Sequence, residues 1–319
     1  MKYRLVINDE PNGKPLLFSY GNTKRIELKV SSMGAIATCE LKRDYRSQLP
    51  DCYLGNLIKE AMKRASLVYL LRYQKSLVIR SLRLEVKSSA NSIEEAIDLQ
   101  NDFTLYSMIT GRLKRPISSA WKQKDVLQRI LTYQKSKDYM SCGVAALYAY
   151  LYSKSKQFET ERFFFLWMAM NGMYVSLAPA GIVREDRRIR EFLVRFGLGE
   201  EMINSHESER LCKLVMLQLL NYQEPITRES LLEENHGLLF NLLQQSILVR
   251  PDGTAYRVTP FGFMLVVLPY YLRCKLFHAN KPAELFSFKN DMELNALRVV
   301  NSLIEEFLDH ELLTVFSIE

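Results

Sequence analysis

Over the first 90 residues the apolar positions change period twice. Ile26, Leu28 and Val30 alternate with Glu27 and Lys29, the two-residue repeat of a strand with one buried face. Lys2-Tyr-Arg-Leu-Val-Ile and Leu16-Leu-Phe-Ser-Tyr are further short strands, separated by the turn signals Pro11-Asn-Gly and Gly21-Asn. The spacing then becomes helical over residues 53–74. Leu54, Leu57, Ile58, Ala61, Ala65, Val68 and Leu71 form one stripe, and Lys59, Lys63, Arg64 and Arg72 lie off it. Leu82, Leu84 and Val86 alternate with Arg83, Glu85 and Lys87 and return the chain to a strand. Together these elements predict a mixed β-plus-helix domain over residues 1–115.

Pro116-Ile-Ser-Ser marks the boundary to a second domain, residues 116–319, whose spacing is mostly helical. Helices are predicted near 121–136, 140–156, 160–177, 184–196, 207–222, 229–246, 260–278 and 291–313. The last carries the core stripe Leu294, Leu297, Val300, Leu303, Ile304, Phe307 and Leu308, with Asp291 near its start and His310 near its end, both favourable to the helix dipole. One hairpin interrupts the series. Ile247-Leu-Val-Arg and Ala255-Tyr-Arg-Val flank a Pro-Asp-Gly turn, and Thr259 then caps a helix with Pro260 at its first position. The predicted fold class is α+β, an N-terminal mixed β-rich domain followed by an all-α helical bundle. The most apolar stretch, Phe261 to Leu272, contains Gly262 and Pro269; it is too short to cross a bilayer and reads as a buried helix. The opening Met1-Lys-Tyr-Arg-Leu-Val-Ile-Asn-Asp lacks the apolar region of a secretory leader.

Composition adds charge placement to this picture. The chain has 319 residues, 48% hydrophobic and 25% charged, with a net charge of +7. Residues 1–120 hold 20 Lys and Arg against 12 Asp and Glu, so the basic excess lies in the N-terminal part. Such a surface either attracts a polyanion, RNA or DNA, or serves solubility alone. Five scattered cysteines with no Cys-x-x-Cys argue against a disulfide framework and a zinc site and fit a reducing cytoplasm. No metal and no cofactor are expected.

Candidate chemistry is sparse. The chain has no phosphate-cradling Gly-rich loop, no Gly-x-Ser-x-Gly and no His-Glu-x-x-His. The acidic pairs Glu94-Glu95, Glu233-Glu234 and Glu305-Glu306 read as solvated helix faces. Of the four histidines, His236 precedes Gly237 at a helix end, His206 lies in a polar loop, and His310 has the dipole role. His278 differs: it ends a strongly apolar helix, five residues after Arg273. Imidazole can take and return a proton near neutral pH, and guanidinium can hold a phosphate and its developing charge. Five helical residues turn through roughly 140°, so one helix brings the pair together only if it bends or ends between them, or if a second subunit completes the site. The competing reading of the pair is a set of dipole partners at a helix C-terminus.

Tyr270-Tyr-Leu-Arg-Cys-Lys-Leu-Phe-His-Ala-Asn-Lys-Pro resembles the signature of HEPN (higher eukaryotes and prokaryotes nucleotide-binding) domains, an Arg, four to six residues, then a His. Upstream, Glu161-Arg-Phe-Phe-Phe-Leu-Trp-Met-Ala-Met-Asn-Gly-Met-Tyr resembles an early helix of bacterial members. The resemblance covers roughly residues 120–319. It implies a metal-independent endoribonuclease, dimeric, with Arg and His of both subunits meeting at the interface, of a kind used in toxins or anti-phage defence. His278 would be general acid and base for attack by the RNA 2′-hydroxyl and Arg273 would hold the scissile phosphate. Cys274 stands where active members carry Asn, Asp or His, and Ala279 where Gly is common.

Around this pair, Asn171, Tyr174 and Lys275 are candidate binding residues in the helical domain, and Lys59, Lys63 and Arg64 in the basic one. Phe163, Trp167, Met170 and Tyr174 share a helical face and read as core rather than a base-stacking surface. Two other functions fit the pattern. One is a non-catalytic HEPN module binding nucleotide, RNA or a protein. The other is a DNA-binding regulator, with residues 223–264 as a winged helix.

Overall fold

A computed structural model describes residues 1–46, 49–87, 92–103, 111–132, 139–179, 181–199, 206–220, 226–227, 229, 231, 248–249, 255–256, 258–277 and 291–317. The fold is α+β, and the chain divides into two compact units, Met1–Ser136 with Leu313–Glu319, and Lys137–Leu312.

The first unit is built on six antiparallel strands, β1 (Lys2–Asn8), β2 (Leu16–Tyr20), β3 (Thr23–Val30), β4 (Gly34–Glu40), β5 (Leu82–Lys87) and β6 (Ile93–Asp98), in the order β2-β3-β4-β1-β5-β6. One face is covered by α1 (Tyr53–Tyr73). Tyr3, Leu5, Ile26, Ala37, Cys39 and Leu84 close on Leu54, Leu57, Ile58 and Ala61, so the helical stripe read from the sequence is the buried one. The register places Leu17, Glu27, Thr38, Arg4, Glu85 and Ala96 in one row across the opposite face.

Two strands were not expected from the hydrophobic pattern. β4 lies inside the sheet, and Ala35, Ile36 and Ala37 are buried in succession, so no alternation survives. β6 is an edge strand. Its Glu94 and Glu95 therefore face opposite sides of a strand, not two directions of a helix, and their charge discourages further pairing. At the other edge, the side-chain amide of Gln128 on α2 (Lys124–Thr132) accepts from Leu17 N at 2.7 Å and donates to Leu17 O at 2.5 Å, continuing the hydrogen-bond ladder of β2. This contact and Trp121, buried edge-on to Phe316, group residues 119–132 with the sheet. The first unit thus runs past the boundary expected at 115/116.

The second unit carries α3 (Tyr139–Ser155), α4 (Glu159–Leu177), α5 (Glu185–Arg195), α6 (His206–Leu220), a short hairpin of β7 (Leu248–Val249) and β8 (Ala255–Tyr256), α7 (Leu268–Phe277) and most of α8 (Asp291–Ser317). The hairpin makes this unit helical but not all-α. Ahead of α7, Thr259 Oγ1 accepts from Gly262 N at 3.0 Å with Pro260 in the first turn. A π-helical segment, Phe263–Val267, then leads into α7 and is wholly buried. Gly262 is required by a close approach, since a Cβ there would lie 2.3 Å from Leu198 O.

Charged groups also enter this core. Arg162, 4% exposed, reaches Glu159 and Glu305, Lys154 Nζ lies 2.9 Å from Glu305, and Asn301 Nδ2 donates to Glu159 at 2.7 Å. Glu305 is therefore an anchor between α3, α4 and α8 and not part of a solvated face. His206 opens α6 rather than preceding it in a loop. His310 lies well before the end of α8 at Ser317, beside Glu311, and so stands outside the last turn, where the expected dipole role would apply. The helix predicted at 229–246, with Glu233, Glu234 and His236, lies outside the described residues apart from Glu229 and Leu231. Among the described residues no helix is long and apolar enough to cross a membrane.

Candidate functional site

The Arg273 side of α7 is set by helical spacing. Tyr270, Arg273 and Cys274 are three and four residues apart and share one side of the helix. That side meets α4 and the first residue of α5. Trp167 stands 6.1 Å from Tyr270 and 6.2 Å from Tyr174, and Tyr174 continues to Phe192 at 6.2 Å. The guanidinium of Arg273 lies 5.5 Å from the Tyr270 ring centroid, and its Nη1 is 3.6 Å from Glu185 Oε2. Tyr174 Oη donates to the other oxygen of Glu185 at 3.5 Å.

An aromatic wall thus backs an arginine whose side chain remains 23% exposed. Burial, then the Glu185 carboxylate, pushes the Tyr174 hydroxyl far above its ordinary value, so it stays a neutral donor. Tyr270 is raised by burial and by its neighbours Cys274 and Glu185. For Arg273 burial acts downward, but Glu185 and Cys274 outweigh it and the charge is reinforced. The arrangement can present a fixed cation at a half-open surface, with a carboxylate in the place an incoming anion would take.

The other sequence candidates fall in different places. His278 lies outside the described residues, one position beyond α7. Tyr174 is buried within the cluster, as are Phe163, Trp167 and Met170 of its helical face. Asn171 is exposed and lies with Phe164, Met168 and Val175 on the outer stripe of α4, so it does not line the Arg273 cluster. Lys275 is turned away from Arg273, since two helical residues rotate by roughly 200°. Its Nζ sits 2.6 Å from Glu293 and over the Tyr271 ring, in a separate surface depression with Glu209 and Lys213.

In the first unit Lys59 and Lys63 are exposed on α1, as a binding role would need. Arg64 is not available. It is 2% exposed, its Nε donates to Glu60 at 2.8 Å, its Nη1 donates to Leu131 O, and its guanidinium covers the Phe18 ring. The residue ties α1 to α2 and β2, and a position off the apolar stripe proved no guide to exposure. Glu185 was missed by the sequence reading because its partner lies 88 residues along the chain, at a distance no local pattern encodes.

No family model, curated protein or solved structure matches the chain. Among the described residues no group of three or more His, Cys, Asp and Glu could hold a metal ion.

Proposed function

We propose that the chain is a HEPN-type endoribonuclease that cleaves RNA without a metal and works as a homodimer, in a toxin or anti-phage defence role. The observation that carries this reading is Arg273, held half-buried between Tyr270 and Glu185 on the last described turns before His278. In the proposed reaction the 2′-oxygen attacks the adjacent phosphorus while His278 takes its proton. Arg273 balances the charge gathering on the phosphoryl oxygens, and the 5′-oxygen leaves with a proton returned by a histidine. The products are a 2′,3′-cyclic phosphate and a 5′-hydroxyl. The exposed apolar stripe Phe164, Met168 and Val175, on the helix that backs Tyr270, supports a second subunit as its cover.

The test is cleavage of RNA by purified full-length protein in EDTA, read with end-group analysis. His278→Ala and Arg273→Ala are expected to lose at least a hundredfold in rate. Intact RNA with the wild-type protein, or equal cleavage by His278→Ala, overturns the nuclease. The ion pair between Arg273 and Glu185 favours a second reading, a non-catalytic module that binds nucleotide, RNA or protein. That reading expects thermal stabilisation by ligand that survives His278→Ala. We find no observation that favours the DNA-binding regulator.

A further inference from the structure

We propose that the open face of the six-stranded sheet, and not α1, is a groove for single-stranded RNA. Residues of the face away from α1 line a groove of about 1190 Å³, together with Glu10, Pro11 and Asn12 and with Tyr45 and Tyr53, the first residue of α1. Seven Lys and Arg and three Glu line it. The register concentrates the cations at one end. Lys2 pairs with Glu40 on one side and Lys87 on the other, Arg25 lies beside the start of the β3–β4 pairing, and Lys42 and Arg43 follow β4 after Leu41. Among the described residues Lys29, Lys42, Arg43 and Lys87 form no ion pair.

Two of the three acids that line the groove, Glu10 and Glu27, and Glu85 beside it hold arginines in place. Glu85, 1% exposed, is bracketed by Arg4 and Arg83 at 2.7 Å each, Glu10 takes the other side of Arg4 at 2.7 Å, and Glu27 takes Arg25 at 3.0 Å. Lys29, Lys42, Arg43 and Lys87 therefore remain for a ligand with regularly repeated negative charge.

A second feature at the same end selects the kind of polyanion. Tyr45 and Tyr53 line the groove with ring centroids 5.8 Å apart, and both are only half-buried. Tyr53 is anchored, its hydroxyl donating to Tyr20 O at 2.8 Å, which leaves Tyr45 as the ring able to adjust. A cationic groove with aromatic rings at its end matches what an unpaired strand requires, a track for phosphates and a platform for bases. A duplex has no free base face to offer such a ring. The choice of RNA over DNA rests on the nuclease proposal above, whereas the groove itself does not.

Binding of labelled oligouridylate to the full-length Arg273→Ala protein, measured by anisotropy across a salt series, tests the groove. Lys42→Gln/Arg43→Gln/Lys87→Gln is expected to weaken binding at least tenfold and to flatten the plot of log affinity against log salt by about 2. Tyr45→Ala is expected to weaken it about fivefold or more while leaving that slope unchanged. Lys59→Gln/Lys63→Gln should change neither. Wild-type affinity and slope in the triple variant, an effect confined to the α1 pair, or tighter binding of duplex than of single strand overturns the proposal. Oligothymidylate bound as tightly through the same residues overturns the assignment to RNA. Groove-dependent binding by a wild-type chain that never cleaves RNA sinks the nuclease and leaves the groove standing.

Discussion

Each unit holds a carboxylate between two cations, and the two triads are built differently. In the sheet, Glu85 is buried while Arg83 is half open and Arg4 reaches the groove, with geometry set by strand register. In the helical unit, Glu305, Arg162 and Lys154 are all nearly covered, and the triad joins three helices. Removing charges from water costs several kcal/mol per ion, so a fully covered triad holds together only while every partner is present. A triad with cations at the surface has water, or a ligand, as an alternative partner. The covered arrangement of the helical unit locks a core. That of the sheet displays charge.

The largest expected effect follows from breaking the covered triad. Glu305→Ala leaves Arg162 and Lys154 without their shared carboxylate and should destabilise the protein by about 3–5 kcal/mol in urea unfolding. Arg64→Gln should cost about 1–3 kcal/mol, because it removes a buried donor from Leu131 O and from Glu60, whereas Lys59→Gln and Lys63→Gln should stay within about 0.5 kcal/mol.

The sheet triad should instead reveal itself through pH. Burial raises the Glu85 carboxyl, but Arg4 and Arg83 outweigh it and set the folded value below the ordinary one. The stabilisation is complete above the unfolded carboxylate range of about 4 and is lost as pH falls through the lower folded value. Glu85→Gln should flatten acid unfolding below about pH 4 while lowering stability at pH 7; a wild-type acid limb in the variant would show that Glu85 does not carry it. A small effect on stability is expected for Glu185→Gln, less than about 1 kcal/mol for a partly exposed pair. Under the proposed nuclease reading its sharper readout is RNA: freeing Arg273 should tighten binding of RNA, seen as a lower KM, and a raised KM would mean that Glu185 positions the arginine instead of competing with RNA.

Local periodicity made most of the scaffold legible. The α1 stripe, the 16–20 and 82–87 strands, the Thr259–Pro260 helix start and the 255–256 strand of the hairpin each follow from residues close together in sequence. β4 was hidden because an inner strand buried on both faces has no alternation to read, and β6 because a charged edge strand resembles a solvated helix. At the candidate site the place of Arg273 near the end of a helix was legible from the spacing. Glu185, which holds that side chain, was not, whereas the opposite facing of Lys275 follows from the helical repeat alone. Arg64 and Glu305 show the same limit from another side. Charge suggests exposure until a distant partner makes burial tolerable.

The pairing of Phe316 with Trp121 has a consequence in time. β1 needs residues up to Lys87 to complete its two ladders, and the first compact unit also includes Leu313–Glu319. During synthesis the sheet can form early, but Trp121 waits for its aromatic neighbour until Phe316, 195 residues further on, has emerged. Until then the unit that carries the basic groove is unfinished, so a chain stalled or clipped before residue 313 would present that groove on a weakened scaffold, open to proteolysis.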